Sequence, residues 1–220
     1  MSWLRKRGVK IVGWLLAIAL SLGAMYVSVG MPNLTPTMAF RRMERSSLMG
    51  PGEILAHGEI ENEYNRSFIV AKTEYNYELY VYERDFWWES RGVIEAFAIT
   101  GGLQLHSTYW TGPILGGCPL TVFLFGGDHR ADQAEVIWCY DDVTYTARAQ
   151  RQYEEFFLLE FWAANKAEEE DLDELWHATR FSGLPVGGSA LTTEVTVRLF
   201  DADGELLTEE VVTVGNIQPQ

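Results

Sequence analysis

The stretch "YNYELYVYERDFWWES", residues 75–90, decides the fold class. Tyr75, Tyr77, Leu79 and Val81 fall on one set of alternate positions, and Glu78, Tyr80, Tyr82 and Arg84 on the other. A repeat of two is that of a pleated strand, whose successive side chains point to opposite faces. Tyr, Val and Trp also favour strands. The stretch reads as a strand with one face toward a core and rings beside charges on the other. That mixture is common at interface anchors, so Tyr80, Tyr82 and Trp88 are the expected exposed binding rings. The plainer reading is that aromatic residues simply suit strands.

The same texture extends outward from Gly52. Short apolar or alternating runs, separated by Gly, Asn and Asp, predict strands at 53–61, 67–73, 77–87, 93–100, 103–110, 119–125, 134–140, 142–149, 153–162, 191–200 and 205–214. Such regular spacing implies a mainly β fold, an antiparallel β-sandwich or barrel-like domain. Three joints read as hairpins: a two-residue turn at Gly101–Gly102, a longer loop in "FLFGGDHRADQAEV", and a turn at Asp203–Gly204. One segment breaks the pattern. Leu172, Leu175 and Trp176 lie at i, i+3 and i+4, with acids before them and His177 and Arg180 after, which predicts a helix over 167–180.

Upstream of Gly52, Thr35 is a suitable N-cap and Pro36 a suitable first helical residue. Ala39, Phe40, Met43 and Ser47 form a narrow stripe, and Gly50 and Pro51 are stop signals. A helix over about 36–48, docked on the domain, follows. Arg41, Arg42 and Arg45 suit an anionic partner, such as a lipid head or a wall polymer, or else a solvated helix face.

Ile11 to Met31 is a run of 21 residues without charge. As a helix it spans roughly 30 Å, the thickness of a bilayer core. Cleaved signals usually have apolar regions of about 7–15 residues, so the run reads as a retained anchor. A cleaved signal and a buried core helix are the competing readings. Arg5, Lys6, Arg7 and Lys10 abut the run, whereas the next cations are Arg41, Arg42 and Arg45. The nearer cluster is expected to stay cytoplasmic. The expected layout is a cytoplasmic tail 1–10, a single-pass anchor 11–31, a juxtamembrane helix 32–51 and an extracytoplasmic β domain 52–220.

Beyond residue 30 the chain holds 13 basic and 31 acidic residues, a net charge of −18. Nucleic-acid binding needs clustered Lys and Arg, so that class is excluded. An acidic domain is also repelled by anionic lipid heads, and its charge suits solubility.

No sequence motif for a nucleophile or a metal centre survives inspection. The run Asp201-Ala202-Asp203-Gly204 has Leu199 where an EF-hand loop needs its first ligand, so it reads as a turn. If Thr100 pairs with Leu103, Glu95 and His106 become diagonal neighbours, a possible general-base pair but more often a polar face. No cofactor is expected. Cys118 and Cys139 sit at the open end of the expected 119–125/134–140 hairpin, and an oxidising compartment permits a disulfide. The register that best pairs apolar residues sends the two side chains to opposite faces, which counts against the bond.

The segment "TPTMAFRRMERSSLMGPGEIL", residues 35–55, resembles the same region of uncharacterised membrane-anchored proteins of Gram-positive bacteria. The resemblance implies a cell-envelope location and carries no activity or site residue. The expected function is a non-catalytic envelope module that is tethered through residues 11–31 and binds a protein or envelope polymer. The alternative is an envelope hydrolase with a site assembled from dispersed loops.

Overall fold

The computed structural model describes residues 2–28, 35–60, 66–83, 92–107, 118–179 and 192–215. Helix α1 runs Ser2–Ser28 and contains one stretch, Lys10–Ser28, long and apolar enough to cross a membrane. From Ile11 to Val27 its Leu, Ile and Val side chains are exposed.

Helix α2 runs Pro36–Ser46. Thr35 caps it as expected, its Oγ1 accepting the Met38 N–H at 3.2 Å. The other end differs from expectation. The stop comes before Gly50, where the Met49 N–H bonds the Glu44 carbonyl and the Leu48 N–H bonds the Arg45 carbonyl. This is a Schellman ending, and Leu48 holds its left-handed position at φ 57, a place usually taken by Gly.

Eleven strands lie in the described residues: β1 Glu53–Glu59, β2 Arg66–Lys72, β3 Asn76–Glu83, β4 Gly92–Ala98, β5 Gln104–Ser107, β6 Cys118–Phe125, β7 Gln133–Tyr140, β8 Val143–Gln150, β9 Phe156–Ala163, β10 Thr192–Phe200 and β11 Leu206–Gly215. Helix α3, Lys166–Thr179, precedes β10. The strands form three antiparallel sheets, in the orders β1-β2-β3-β4, β5-β6-β9 and β11-β10-β7-β8. The fold is a β-sandwich with short helices.

The small β5-β6-β9 sheet is the middle layer. Strand β6 is buried on both faces, which explains its unbroken apolar run Val122–Phe125. Phe123 and Phe125 pack with Phe68, Tyr77, Leu79 and Phe97 of the β1–β4 sheet. Leu120, Val122 and Leu124 pack with Val136, Trp138, Val195 and Val197 of the third sheet. Helix α3 closes that second core with Leu172, Leu175 and Trp176. Its start is fixed by Asn165, whose Oδ1 accepts the Ala167 and Glu168 N–H groups.

On the third sheet a charge ladder crosses all four strands. Arg148 of β8 and Arg198 of β10 both bond Glu135 of β7, and Arg198 continues to Glu209 of β11. These are directly opposed residues in the register, so the ladder pins the strand alignment.

Two of the three expected hairpins do not exist. Strand β4 pairs with β3 and β5 with β6, so Gly101–Gly102 carries the chain from one sheet to the next. The expected β6–β7 hairpin is likewise a crossing: β6 pairs with β5 and β9, and β7 with β8 and β10. The reason lies in β6 itself, whose two apolar faces need a layer on each side. Gly126, at φ 85, makes the crossing possible. A Cβ there would stand 2.6 Å from the Gly102 carbonyl oxygen. The third joint stands: β10 and β11 pair around Gly204, where Asp201 Oδ1 accepts the Asp203 and Glu205 N–H groups.

Candidate functional site

Tyr80 and Tyr82 are not exposed rings; their relative exposures are 1% and 2%. Helix α2 lies on the outer face of the β1–β4 sheet, and Ala39 and Phe40 close over both tyrosines. The rings stack on each other at 5.3 Å, Phe40 meets Tyr80 at 5.9 Å, and the Tyr82 hydroxyl bonds His57 Nε2 at 2.7 Å. Gly92 opposes Tyr82 in β4, and a Cβ there would meet the Tyr80 ring at 2.3 Å. Both faces of β3 are therefore covered, one by a sheet and the other by α2. Trp88, the third expected ring, lies outside the described residues.

The disulfide expectation loses its support. Cys139 is a free, exposed thiol, and β6 and β7 belong to different sheets. The side chain of Cys118 lies outside the described part.

The Glu95–His106 pair does not make a general base either. His106 stacks on Phe97 at 3.7 Å, neither ring nitrogen has a hydrogen-bond partner among the described residues, and burial lowers the imidazole to about 4. A neutral, half-buried ring packed on phenylalanines serves packing rather than proton transfer.

Two polar arrangements take the place of the expected sites. The first lies under α2. Glu44 and Glu78 are 2% and 1% exposed and hydrogen-bonded to each other. Arg41 Nη1 donates to both oxygens of Glu44 at 2.7 and 2.8 Å, and the Gly52 N–H donates to Oε1 at 3.0 Å. Burial, and next the adjoining Glu44, push the Glu78 carboxyl up to about 7. Phe40 and Glu44 are four residues apart on the helix, so the stripe could have been extended to Glu44 from the sequence. Glu78 shares its strand face with Tyr80 and Tyr82, as read.

The second arrangement opens to solvent. A cleft of about 650 Å³ lies between the β1–β2 end of the first sheet and residues 153–156. Lys72 Nζ and the Tyr77 hydroxyl both donate to Glu155, at 2.9 and 3.0 Å. The Lys72 ammonium stands 5.4 Å from the centre of the Tyr77 ring. Tyr153 forms a wall, stacked on Phe156 at 4.5 Å and edge-on to Phe68 at 5.6 Å. Gly58 gives it room: a Cβ there would stand 2.7 Å from the Tyr153 hydroxyl. Glu53, Glu74 and Glu154 add charge to the lining, four carboxylates with Glu155 against the Lys72 ammonium. The Glu155 hydrogen bond holds Lys72 above its ordinary value, and Lys72 in turn holds Glu155 below the usual carboxylate range. Burial and the same carboxylate raise the Tyr77 phenol. Sequence reasoning missed this site because its halves lie some eighty residues apart.

The fold and these sites define a mainly β, three-sheet domain that follows an N-terminal apolar helix. Comparison with protein-family models, curated proteins and solved structures returns no match for the chain.

Proposed function

We propose that the chain is a membrane-tethered, extracytoplasmic binding module of the cell envelope. Residues 10–28 form its retained anchor, and the Lys72–Glu155 cleft is its contact surface for a protein or envelope polymer. The observation that carries this reading is the state of the cleft's charges. Lys72 is held protonated and Glu155 ionised, with Tyr77 donating to the same carboxylate. General acid–base work requires a group poised near neutrality, and this pair is pushed away from it. A fixed ion pair in an open cleft suits recognition. The acid that does sit near neutrality, Glu78, is sealed beneath α2 rather than facing the cleft. Acids on the rim beside Leu55 and Tyr153 complement a ligand with a cationic group next to an apolar one. Arg5, Lys6 and Arg7 before the anchor, with Lys10 at its first position, support an outward-facing domain.

The test is site-specific photo-crosslinking in cells producing the full chain. A photoreactive residue at Glu74, on the cleft rim, is expected to give discrete adducts that disappear when Glu53→Lys and Glu154→Lys are added. The same residue at Glu210, exposed on β11, is expected to give none. Equal adducts from both positions, or none from Glu74, would remove the cleft as the contact surface.

A further inference from the structure

We infer that the outward face of α2 seats on anionic headgroups of the bilayer that the anchor spans. This inference rests on the tether proposed above. Three observations carry it. First, α2 is confined to the neighbourhood of the membrane surface. Seven peptide steps join Ser28 at the end of α1 to Thr35 at the start of α2, and seven fully extended residues reach at most about 25 Å.

Second, the outward face has interfacial chemistry. Met38, Arg42 and Arg45 recur at i, i+4 and i+7 and are exposed, whereas Ala39, Phe40 and Glu44 are buried against the domain. A helix with one face on a protein core and cations beside apolar side chains on the other suits a headgroup boundary. Arg41, turned inward to Glu44, is not needed for this contact. The acidic domain as a whole is repelled by anionic lipid, so a cationic strip at the tethered end also orients it, acids away from the surface.

Third, Leu48 is placed against its own preferences. It occupies the left-handed position of the helix ending at φ 57, where a side chain costs about 1 kcal/mol. It is also 94% exposed. Gly would serve the backbone better, and a polar residue would serve a solvated surface better. A leucine held clear of the domain, at the helix ending that follows Arg45, fits a side chain entering the apolar edge of the bilayer.

The test uses the full chain with Cys118→Ser and Cys139→Ser, carrying a single environment-sensitive label at Leu48→Cys or at Leu20→Cys. The chain is reconstituted in vesicles of phosphatidylcholine alone or of equal parts phosphatidylcholine and phosphatidylglycerol. Leu20 reports the anchor, and its label is expected to sit in hydrocarbon in both lipids. Leu48 is expected to show a blue-shifted emission in the anionic vesicles at low salt, a smaller shift in the zwitterionic ones, and loss of the difference at high salt, where exposed charges are screened. Arg42→Glu with Arg45→Glu is expected to abolish the Leu48 shift while leaving the melting temperature nearly unchanged. A Leu48 label that stays aqueous in both lipids, or that shifts equally in both at every salt concentration, overturns the headgroup contact and leaves the anchor standing if Leu20 remains buried. A Leu20 label in water overturns the tether and the contact together.

Discussion

The Glu44 and Glu78 carboxyls meet across the α2–β3 interface, hydrogen-bonded to each other in a site from which solvent is excluded. Arg41 and the Gly52 N–H hold Glu44, which leaves Glu78 as the proton donor of the pair. Its Oε2 has no hydrogen-bond partner among the described residues.

Stability is expected to depend on pH through Glu78. Its carboxyl is raised from 4.5 to about 7 in the folded protein. Below the lower value both folded and unfolded chains hold the proton. Between the two values only the folded chain holds it, so stability falls as pH rises through that window and levels off above it. At about 1.4 kcal/mol per pH unit the total is about 3 kcal/mol. Glu78→Gln keeps a donor to Glu44 and cannot ionise. The variant is expected to be more stable than the parent by about 1–3 kcal/mol at mildly alkaline pH and to lose that advantage at acid pH. Melting curves of both proteins across the window check this; an unchanged difference at every pH contradicts it.

Two glycines that look alike in sequence are expected to respond oppositely. A Cβ at Gly92 would collide with the Tyr80 ring, whereas one at Gly101 meets nothing within 4 Å. Gly92→Ala is expected to destabilise by about 1–3 kcal/mol, because the tyrosine is clamped between Phe40 and Tyr82. Gly101→Ala is expected to be neutral or slightly stabilising. Chemical denaturation of the two variants separates the outcomes.

Glu135 is expected to matter more than its partners. It is buried between Arg148, which is largely exposed, and Arg198, which is half-buried. Glu135→Ala leaves two cations facing each other across β7 and is expected to cost about 2 kcal/mol. Arg148→Ala leaves Glu135 still bonded to Arg198 and is expected to cost under about 1 kcal/mol. Equal losses would show that the ladder is not centred on Glu135.

Cys139 is expected to react with a thiol reagent in the folded protein without reductant, since it is exposed at the end of β7 beside Thr144. Absence of reaction until reductant is added would restore the disulfide.

Local pattern carried far in this chain, because each element announces itself over a few residues. The alternation in 75–82, the Thr35–Pro36 cap and the Leu172–Leu175–Trp176 stripe lead to the elements seen. Pairing was another matter. A two-residue Gly-Gly turn and a Gly-Gly-Asp loop look like hairpins locally, yet both carry the chain between layers because β6 must be covered on two faces. The same global demand buried Tyr80 and Tyr82. The helix stripe at Ala39 and Phe40 was visible, but the sheet face it covers was not. Glu155 meets Lys72 only once residues 153–156 come to lie beside the end of β2, and no spacing encodes that contact.

Whether residues 10–28 are a retained anchor is decided by alkaline carbonate extraction of membranes from cells producing the full chain, followed by intact-mass analysis. The protein is expected to stay in the membrane pellet with a mass that includes the apolar helix. Soluble protein whose mass begins beyond the end of that helix would contradict the retained anchor.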